Sequence, residues 1–282
     1  AEPGNYVEEF IKNNLRKLAI EKKFVKDEAE FNQLLVSVNV ELTKEKIKKT
    51  FRRDKLIIQA NNALEELDKI INILVERLRE FYSFHFPELD REISSHEKFA
   101  KIVEKFGDRN KIEEPKLKEL AEATTGVDFT PEDIKVSQEL AREILNLFKL
   151  REKIENYLEK NLVEIAPNFT ELATPQIAAK LMARAGGLEK LAKMASSSLQ
   201  LIGAEKSLFR YLKGKGKGPR FGILAIHPLV QKAPEELKGK VARVLASKLS
   251  MAAKIDFYSK KYKAKELRED LEKRVKEILK SK

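Results

Sequence analysis

The chain has 282 residues, enough for one large or two ordinary domains with a substantial core. It has no Cys and only His85, His96 and His227, so disulfides and Cys-based zinc sites are excluded and a histidine metal cluster has nothing to build on. The net charge of +11 is uneven: residues 180–265 hold 20 Lys/Arg against Glu189, Glu205, Glu235, Glu236 and Asp256, a net +15 that leaves −4 elsewhere. Such a division is the footprint of a polyanion-binding half on a protein-interaction scaffold, with nucleic acid the commonest partner.

No apolar run approaches the length of a membrane span and no secretory signal opens the chain, so the expectation is a soluble intracellular protein without membrane contact, metal or cofactor. A charged share of 36% without Cys or Trp fits a hyperthermophile surface. Ala1-Glu2-Pro3-Gly4 reads as a start partway into something larger. Residues 1–50 then read as a small helical unit, with Phe10, Ile11, Leu15 and Leu18 on one helix face. Asp27, with Glu30 three residues on, is a candidate cap. Leu34 to Val40 could pass for a strand, but it has no partner strand and is read as helix or extended linker.

The clearest periodicity spans residues 54–83. Ile57, Ala60, Leu64, Leu67, Ile71, Leu74, Leu78 and Phe81 alternate steps of three and four, as in a coiled-coil seam. His85-Phe86-Pro87 ends that helix. A second long helix is expected from Thr130-Pro131 to Ala166-Pro167, with proline and acids at its first turn. Its seam is Val136, Leu140, Ile144, Leu147, Ile154 and Leu158, interrupted by Arg151. The two helices can pair antiparallel over residues 51–166, with 85–129 as a short-helical tip in which His85 and His96 pack rather than bind a ligand.

From 167 to 282 the chain breaks into shorter pieces. Gly186-Gly187 stops one helix, and Ser196-Ser197-Ser198 is a break or cap. Phe221 to Ile226 alone suggests a buried strand, and Pro234-Glu235-Glu236 a helix start. That helix carries Lys240, Arg243, Lys248 and Lys254 among small residues, which suits close approach to a phosphate backbone or packing on its own core. A charged helix from about Lys263 buries Leu267, Leu271, Val275, Ile278 and Leu279. The loop KGKGKGPR holds Lys213, Lys215, Lys217 and Arg220 between glycines. It reads either as a solvated connector or as a contact surface for an irregular polyanion. No Walker loop, dinucleotide fingerprint or nucleophile–base arrangement is present, so no catalysis is assigned.

Leu201-Ile202-Gly203-Ala204-Glu205-Lys206, the spacing to His227-Pro228-Leu229-Val230, and Lys240-Val241-Ala242-Arg243 resemble the Nop domain signature. Asp54 to Ala60 and Arg79 to Leu89 resemble the coiled-coil part of the same family, the archaeal Nop56/58-like core proteins of box C/D guide ribonucleoproteins. The likeness covers most of residues 50–270; Ser207 and Tyr211 depart from the family's usual Ala and His.

The resemblance implies an all-α fold, a long antiparallel coiled-coil pair with a small helical tip joined to a compact helical Nop domain at 167–282. It implies a homodimer through the coiled coil and a kink-turn guide RNA gripped with a small L7Ae-type protein. Fibrillarin, the methyltransferase, is expected to bind the full-length protein, because residues 1–50 resemble only the end of the domain that holds it. RNA contact then falls to Gly203, Ala204, Glu205, Lys206, Arg210, Lys213, Lys215, Lys217, His227, Gln231, Arg243 and Lys248. Among these, His227 is expected at a nucleotide of the second stem. A spliceosomal Nop-domain factor, or a coiled-coil protein with a nonspecific basic surface, are the competing readings.

Overall fold

The computed structural model describes residues 3–280, and the side chains of 6–48 and 51–280; Ala1 and Glu2, part of the expected mid-protein start, lie outside the described residues. The protein is all-α, with no strand among the described residues. Two compact units divide it at 52/53.

The first unit is a pair of helices, α1 (Pro3–Glu21) and α2 (Glu28–Thr50). Asp27 accepts from the Glu30 N–H while the Glu30 carboxylate accepts from the Lys26 N–H, so the expected cap forms. The Leu34–Val40 stretch is helical, inside α2. The expected apolar face of α1 is not covered: Phe10, Ile11 and Leu15 are exposed, and among the described side chains of this unit only Val25 and Phe31 are buried.

The second unit opens with α3 (Asp54–Ser83), free of Gly and Pro throughout. The tip follows with α4 (Pro87–Glu92), α5 (His96–Phe106), a 3-10 turn (Arg109–Lys111) and α6 (Pro115–Glu122). Thr130 and Asp133 form a full capping box at the start of α7 (Pro131–Ile165). The pairing of α3 with α7 is antiparallel: Arg53 meets Glu164 at one end (2.6 Å), Asp68 meets Arg151 midway (2.5 Å), and Phe81 meets Phe129 at the other.

The buried stripe of α3 is Ile57, Asn61, Leu64, Leu67, Ile71, Val75, Leu78 and Tyr82. Val75 and Tyr82 therefore take the places expected for Leu74, which is half-buried, and Phe81, which is exposed. A straight helix turns in 3.6 residues, so a strict 3.5 repeat drifts off the contact line within a few turns. On α7, Ile144 and Leu158 are buried, Leu140, Leu147 and Ile154 are half-buried, and Val136 is exposed.

Arg151 interrupts this seam for a structural reason. It pairs with Asp68 and Glu155 and stands between two hydrophobic cores. One core joins Ile71, Val75, Leu78, Ala141 and Ile144 to the tip. The other joins Ile57, Leu64, Leu158 and Leu162 to the helices that follow.

Within the tip, Arg109 donates to the carbonyls of His85 and Val127 and pairs with Asp128. The His85 ring stacks on Phe129, centroids 4.7 Å apart. His96 accepts from Arg79 at 3.2 Å. Both histidines are packing elements.

The remaining helices are α8 (Pro167–Ala173), α9 (Pro175–Ala185), α10 (Leu188–Lys193), α11 (Ser196–Leu201), α12 (Glu205–Leu212), α13 (Pro228–Gln231), α14 (Lys238–Lys254) and α15 (Ala264–Lys280). Gly186, in the left-handed region, ends α9. At the root of α3, the Asp54 carboxylate accepts from the Leu188 N–H (2.9 Å) and Lys55 donates to the Gly186 carbonyl (3.3 Å). In α15, Leu267, Leu271 and Val275 are buried, Ile278 is half-buried and Leu279 is exposed.

Two local expectations are corrected. Phe221–Ile226 forms no strand; Ile223–Ile226 is a 3-10 turn with only Leu224 buried, because a lone strand here would leave its backbone groups unpaired. Pro234 to Leu237 is a turn, and α14 begins at Lys238.

Candidate nucleic-acid interface

A backbone clasp positions the basic segment. The Gly222 N–H donates to the Gln200 carbonyl (2.9 Å) and the Ile223 N–H to the Ile202 carbonyl (2.7 Å). The Gln200 side chain donates to the Arg220 carbonyl at 2.5 Å. A Cβ on Gly222 would lie 1.9 Å from the Ile202 oxygen, so only glycine permits this approach.

Gly203 turns the chain into α12 at φ +88, and its N–H donates to the Glu205 carboxylate at 2.8 Å. That bond holds the Glu205 pKa below the ordinary carboxylate value, with Arg184 adding to it and burial opposing. Glu205 therefore secures the turn, and α12 projects with no residue buried. Its apolar Phe209, Tyr211 and Leu212 are exposed.

Lys206 and Arg210 on α12, and Lys213, Lys215 and Lys217 in the loop, are exposed. Among the described residues none of these five side chains has a hydrogen-bond or ion-pair partner. Gly214 (φ +72) and Gly216 (φ +84) let the loop reverse between its cations.

Beside the loop is a groove of about 700 Å³ lined by Ser196, Ser197, Gln200, Arg220, Lys240 and Arg243, among others. Arg220 donates to the Glu235 carbonyl (3.2 Å), whereas Lys240 and Arg243, three residues apart on α14, have exposed and partnerless heads among the described residues. Sequence reasoning named Arg220 and Lys240 among the basic surface residues but left them, with Ser196 and Ser197, out of the expected RNA contacts. The helical step from Lys240 to Arg243 was the signal available for one of them.

Three expected contacts lie elsewhere. Lys248 is 6% exposed and pairs with Asp270 on α15, so its charge is committed inside the helix pair. His227 is 4% exposed. Its Nδ1 accepts from the Leu229 N–H (3.2 Å), which leaves Nε2–H to donate to the Leu172 carbonyl (3.0 Å). Burial lowers its pKa, and the Leu172 bond opposes that in part. Gln231, at the end of α13, is exposed and does not line the groove. Ala204 is half-buried at the entry to α12.

The groups present offer phosphate-binding cations and hydroxyl donors around a concave surface, without a nucleophile–base pair. No metal-binding cluster of His, Asp or Glu occurs among the described residues, nor a helix long and apolar enough to cross a membrane.

A family model described as Nop, snoRNA binding domain, fibrillarin, matches residues 63–277. A second, the archaeal Nop5/56-related N-terminal domain, matches residues 1–48. An uncharacterized NOP5 family protein of Methanocaldococcus jannaschii is 42% identical over 98% of this chain and 70% of its own length. Nucleolar protein 58 of Schizosaccharomyces pombe is 36% identical over 83% of this chain and 48% of its own length. Nucleolar protein 56 of the same yeast is 36% identical, over 74% and 45%. The chain thus spans about half the length of these yeast relatives. The crystal structure of a fibrillarin/Nop5p complex contains a similar chain, with a TM-score of 0.56 at 25% identity, covering 94% of this chain and 84% of that one. With three quarters of its length matched by the family model, and with the groove, the clasp, α7 and most of α3 inside that match, the chain belongs to the Nop family, of the archaeal Nop5/56-related kind.

Proposed function

We propose that this chain is a non-catalytic scaffold of a box C/D guide RNA 2′-O-methylation particle, acting in the archaeal cytoplasm. It grips a kink-turn RNA together with an L7Ae-type protein, while a fibrillarin-type methyltransferase supplies the chemistry. The observation that carries the reading is the set of exposed, partnerless cations: Lys240 and Arg243 lining one groove, with Lys206, Arg210, Lys213, Lys215 and Lys217 on α12 and in the loop whose end, Pro219-Arg220, also lines it. Cations without carboxylate partners are free to replace counterions on phosphates. The exposed Phe209 and Leu212 on α12 support a protein partner beside the RNA.

Self-association through the coiled coil is part of the same reading. Ile57, Ile71, Leu78 and Ile144 are already consumed in pairing α3 with α7 within one chain. A second copy would therefore meet the outward Ile70 and Ile73 of α3, with Phe84 and Val127 at the tip, all exposed. In the first unit the uncovered Phe10, Ile11 and Leu15 support a protein partner, fibrillarin in this reading.

A gel shift tests the proposal on a box C/D kink-turn RNA and on a straight duplex of equal length, each with and without the L7Ae-type protein. A supershift confined to the kink-turn with its bound protein, weakened by Lys240→Ala with Arg243→Ala, is the expected result. Equal shifts on both RNAs, indifferent to the second protein, would reduce the basic half to a nonspecific polyanion surface.

A further inference from the structure

We propose that residues 254–263 form a second nucleic-acid contact, a stacking platform for the unpaired bases of a single-stranded RNA. It is separate from the groove: Lys240 and Lys254 lie at opposite ends of α14, about 20 Å apart along its axis. The platform stands on its own observations and does not depend on the reading of the groove.

At its C-terminal end α14 loosens into a π-turn, Ile255–Ser259, and Lys260 follows in the left-handed region at φ 54. Lysine is strained there, because its Cβ crowds the following carbonyl. A buried network holds the distortion in place. The Asp256 carboxylate, 3% exposed, accepts from the backbone N–H of Asn168 (3.2 Å) and of Phe169 (2.8 Å). The Asn168 amide donates to Asp256 (2.5 Å) and to the Lys261 carbonyl (2.8 Å), and its oxygen accepts from the Lys263 N–H (2.5 Å). Asn168 thus ties both sides of the turn to the start of α8.

The backbone so held carries exposed aromatic and basic side chains in close succession. Tyr258 is 64% exposed and Tyr262 57% exposed. Between and beside them stand the exposed Lys254, Lys260 and Lys261, which have no ion-pair partner among the described residues. The Tyr258 ring rests edge-on against Phe257, centroids 4.8 Å apart at 84°, which limits its freedom before any ligand arrives. The carboxylates nearest in sequence are engaged: Asp256 is buried in the network, and Glu266 faces Lys263 at 3.7 Å.

Exposed aromatic rings alternating with ammonium groups match a single strand, whose bases stack while its phosphates meet the cations. A duplex keeps its base faces covered and offers only phosphates. Preorganisation by Asn168 and Asp256 lowers the ordering cost of that contact.

The test uses the full chain, a fluorescently labelled single-stranded oligouridine and a duplex of equal length, at near-physiological salt. With no Trp in the sequence, stacking is also read from tyrosine emission, as the quenching that is lost when Tyr258 and Tyr262, two of the six tyrosines, are replaced. Expected are binding of the single strand over the duplex and quenching of tyrosine emission. Tyr258→Ala with Tyr262→Ala should weaken binding roughly tenfold or more. The corresponding Phe pair should retain it. Equal affinity for the duplex, or unchanged binding after loss of both rings, would overturn the platform. So would tyrosine emission that responds to vesicles of anionic lipid and not to RNA.

Discussion

The buried Arg109 guanidinium donates to the carbonyl oxygen of His85 at 2.5 Å and, from the same nitrogen, to that of Val127 at 2.8 Å. One side chain thereby closes the tip, joining the end of α3 to the stretch of chain that enters α7. Gly126 completes the closure, since a Cβ there would lie 2.0 Å from the His85 oxygen. Arg109→Ala leaves the His85 carbonyl without this donor, the Val127 carbonyl with only the His85 Nδ1–H at 3.0 Å, and Asp128 without its partner, and is expected to cost about 3 kcal/mol. Lysine cannot reproduce the fork and should recover little of it. Hydrogen exchange should rise across residues 84–129 and stay unchanged in α14; unchanged exchange at the tip would refute the closure.

Lys248 and Arg243 lie on one helix, yet their substitutions should read out differently. Lys248→Ala breaks the pairing with Asp270 between α14 and α15 and should lower Tm while leaving RNA affinity within about twofold. Arg243→Ala should leave Tm nearly unchanged, weaken RNA binding across sequences and reduce the salt slope by about 1. The Lys248 pair holds the Asp270 carboxyl below its ordinary pKa, so its contribution is present above the ordinary value and is lost as pH falls through the lowered one. A loss of RNA affinity in Lys248→Ala at constant Tm would reverse the assignment.

His227 sets a second pH dependence. Burial depresses the imidazole pKa below its ordinary 6.5, so the unfolded chain takes up the proton first. The neutral ring's contribution is full above the unfolded value and is lost as pH falls from there towards the depressed one. Between about pH 7.5 and 5.5 the wild-type Tm should fall more steeply than that of His227→Gln. Parallel curves would contradict a buried neutral ring.

The glycines divide into two kinds. Gly222→Ala forces a Cβ onto the Ile202 carbonyl and should destabilise the clasp by at least about 2 kcal/mol. A Cβ added at Gly214 would meet nothing within 4 Å, so Gly214→Ala faces only the left-handed strain, about 1 kcal/mol. Thermal melts of the two variants check the contrast, and similar Tm losses would refute it.

Much of the architecture was legible from local rules. Thr130-Pro131-Glu132-Asp133 announced a helix start and forms a capping box, and Arg151 marked a break that separates two cores. The seam drifted by one residue at Val75 and Tyr82 because a helix of 3.6 residues per turn does not keep a strict 3.5 repeat on one contact line. The groove was half legible. Arg243 could be read from charge, but the commitment of Lys248 to Asp270 depends on a helix 22 residues downstream. Phe221–Ile226 had strand-like side chains, and its backbone bonds to Gln200 and Ile202 instead.

The anchorage of Asp54 and Lys55 on the Gly186–Leu188 corner makes α3 a lever with a clamped fulcrum. Over its 30 residues the arm reaches about 45 Å, so a tilt of about 5° at the root would sweep the far end through about 4 Å. Gly187 leaves no slack at that point, because a Cβ there would sit 2.6 Å from the Asp54 carboxylate. The tip is thus held in register with the root of α3, and a side chain added at position 187 would have to displace the Asp54 carboxylate that clamps it.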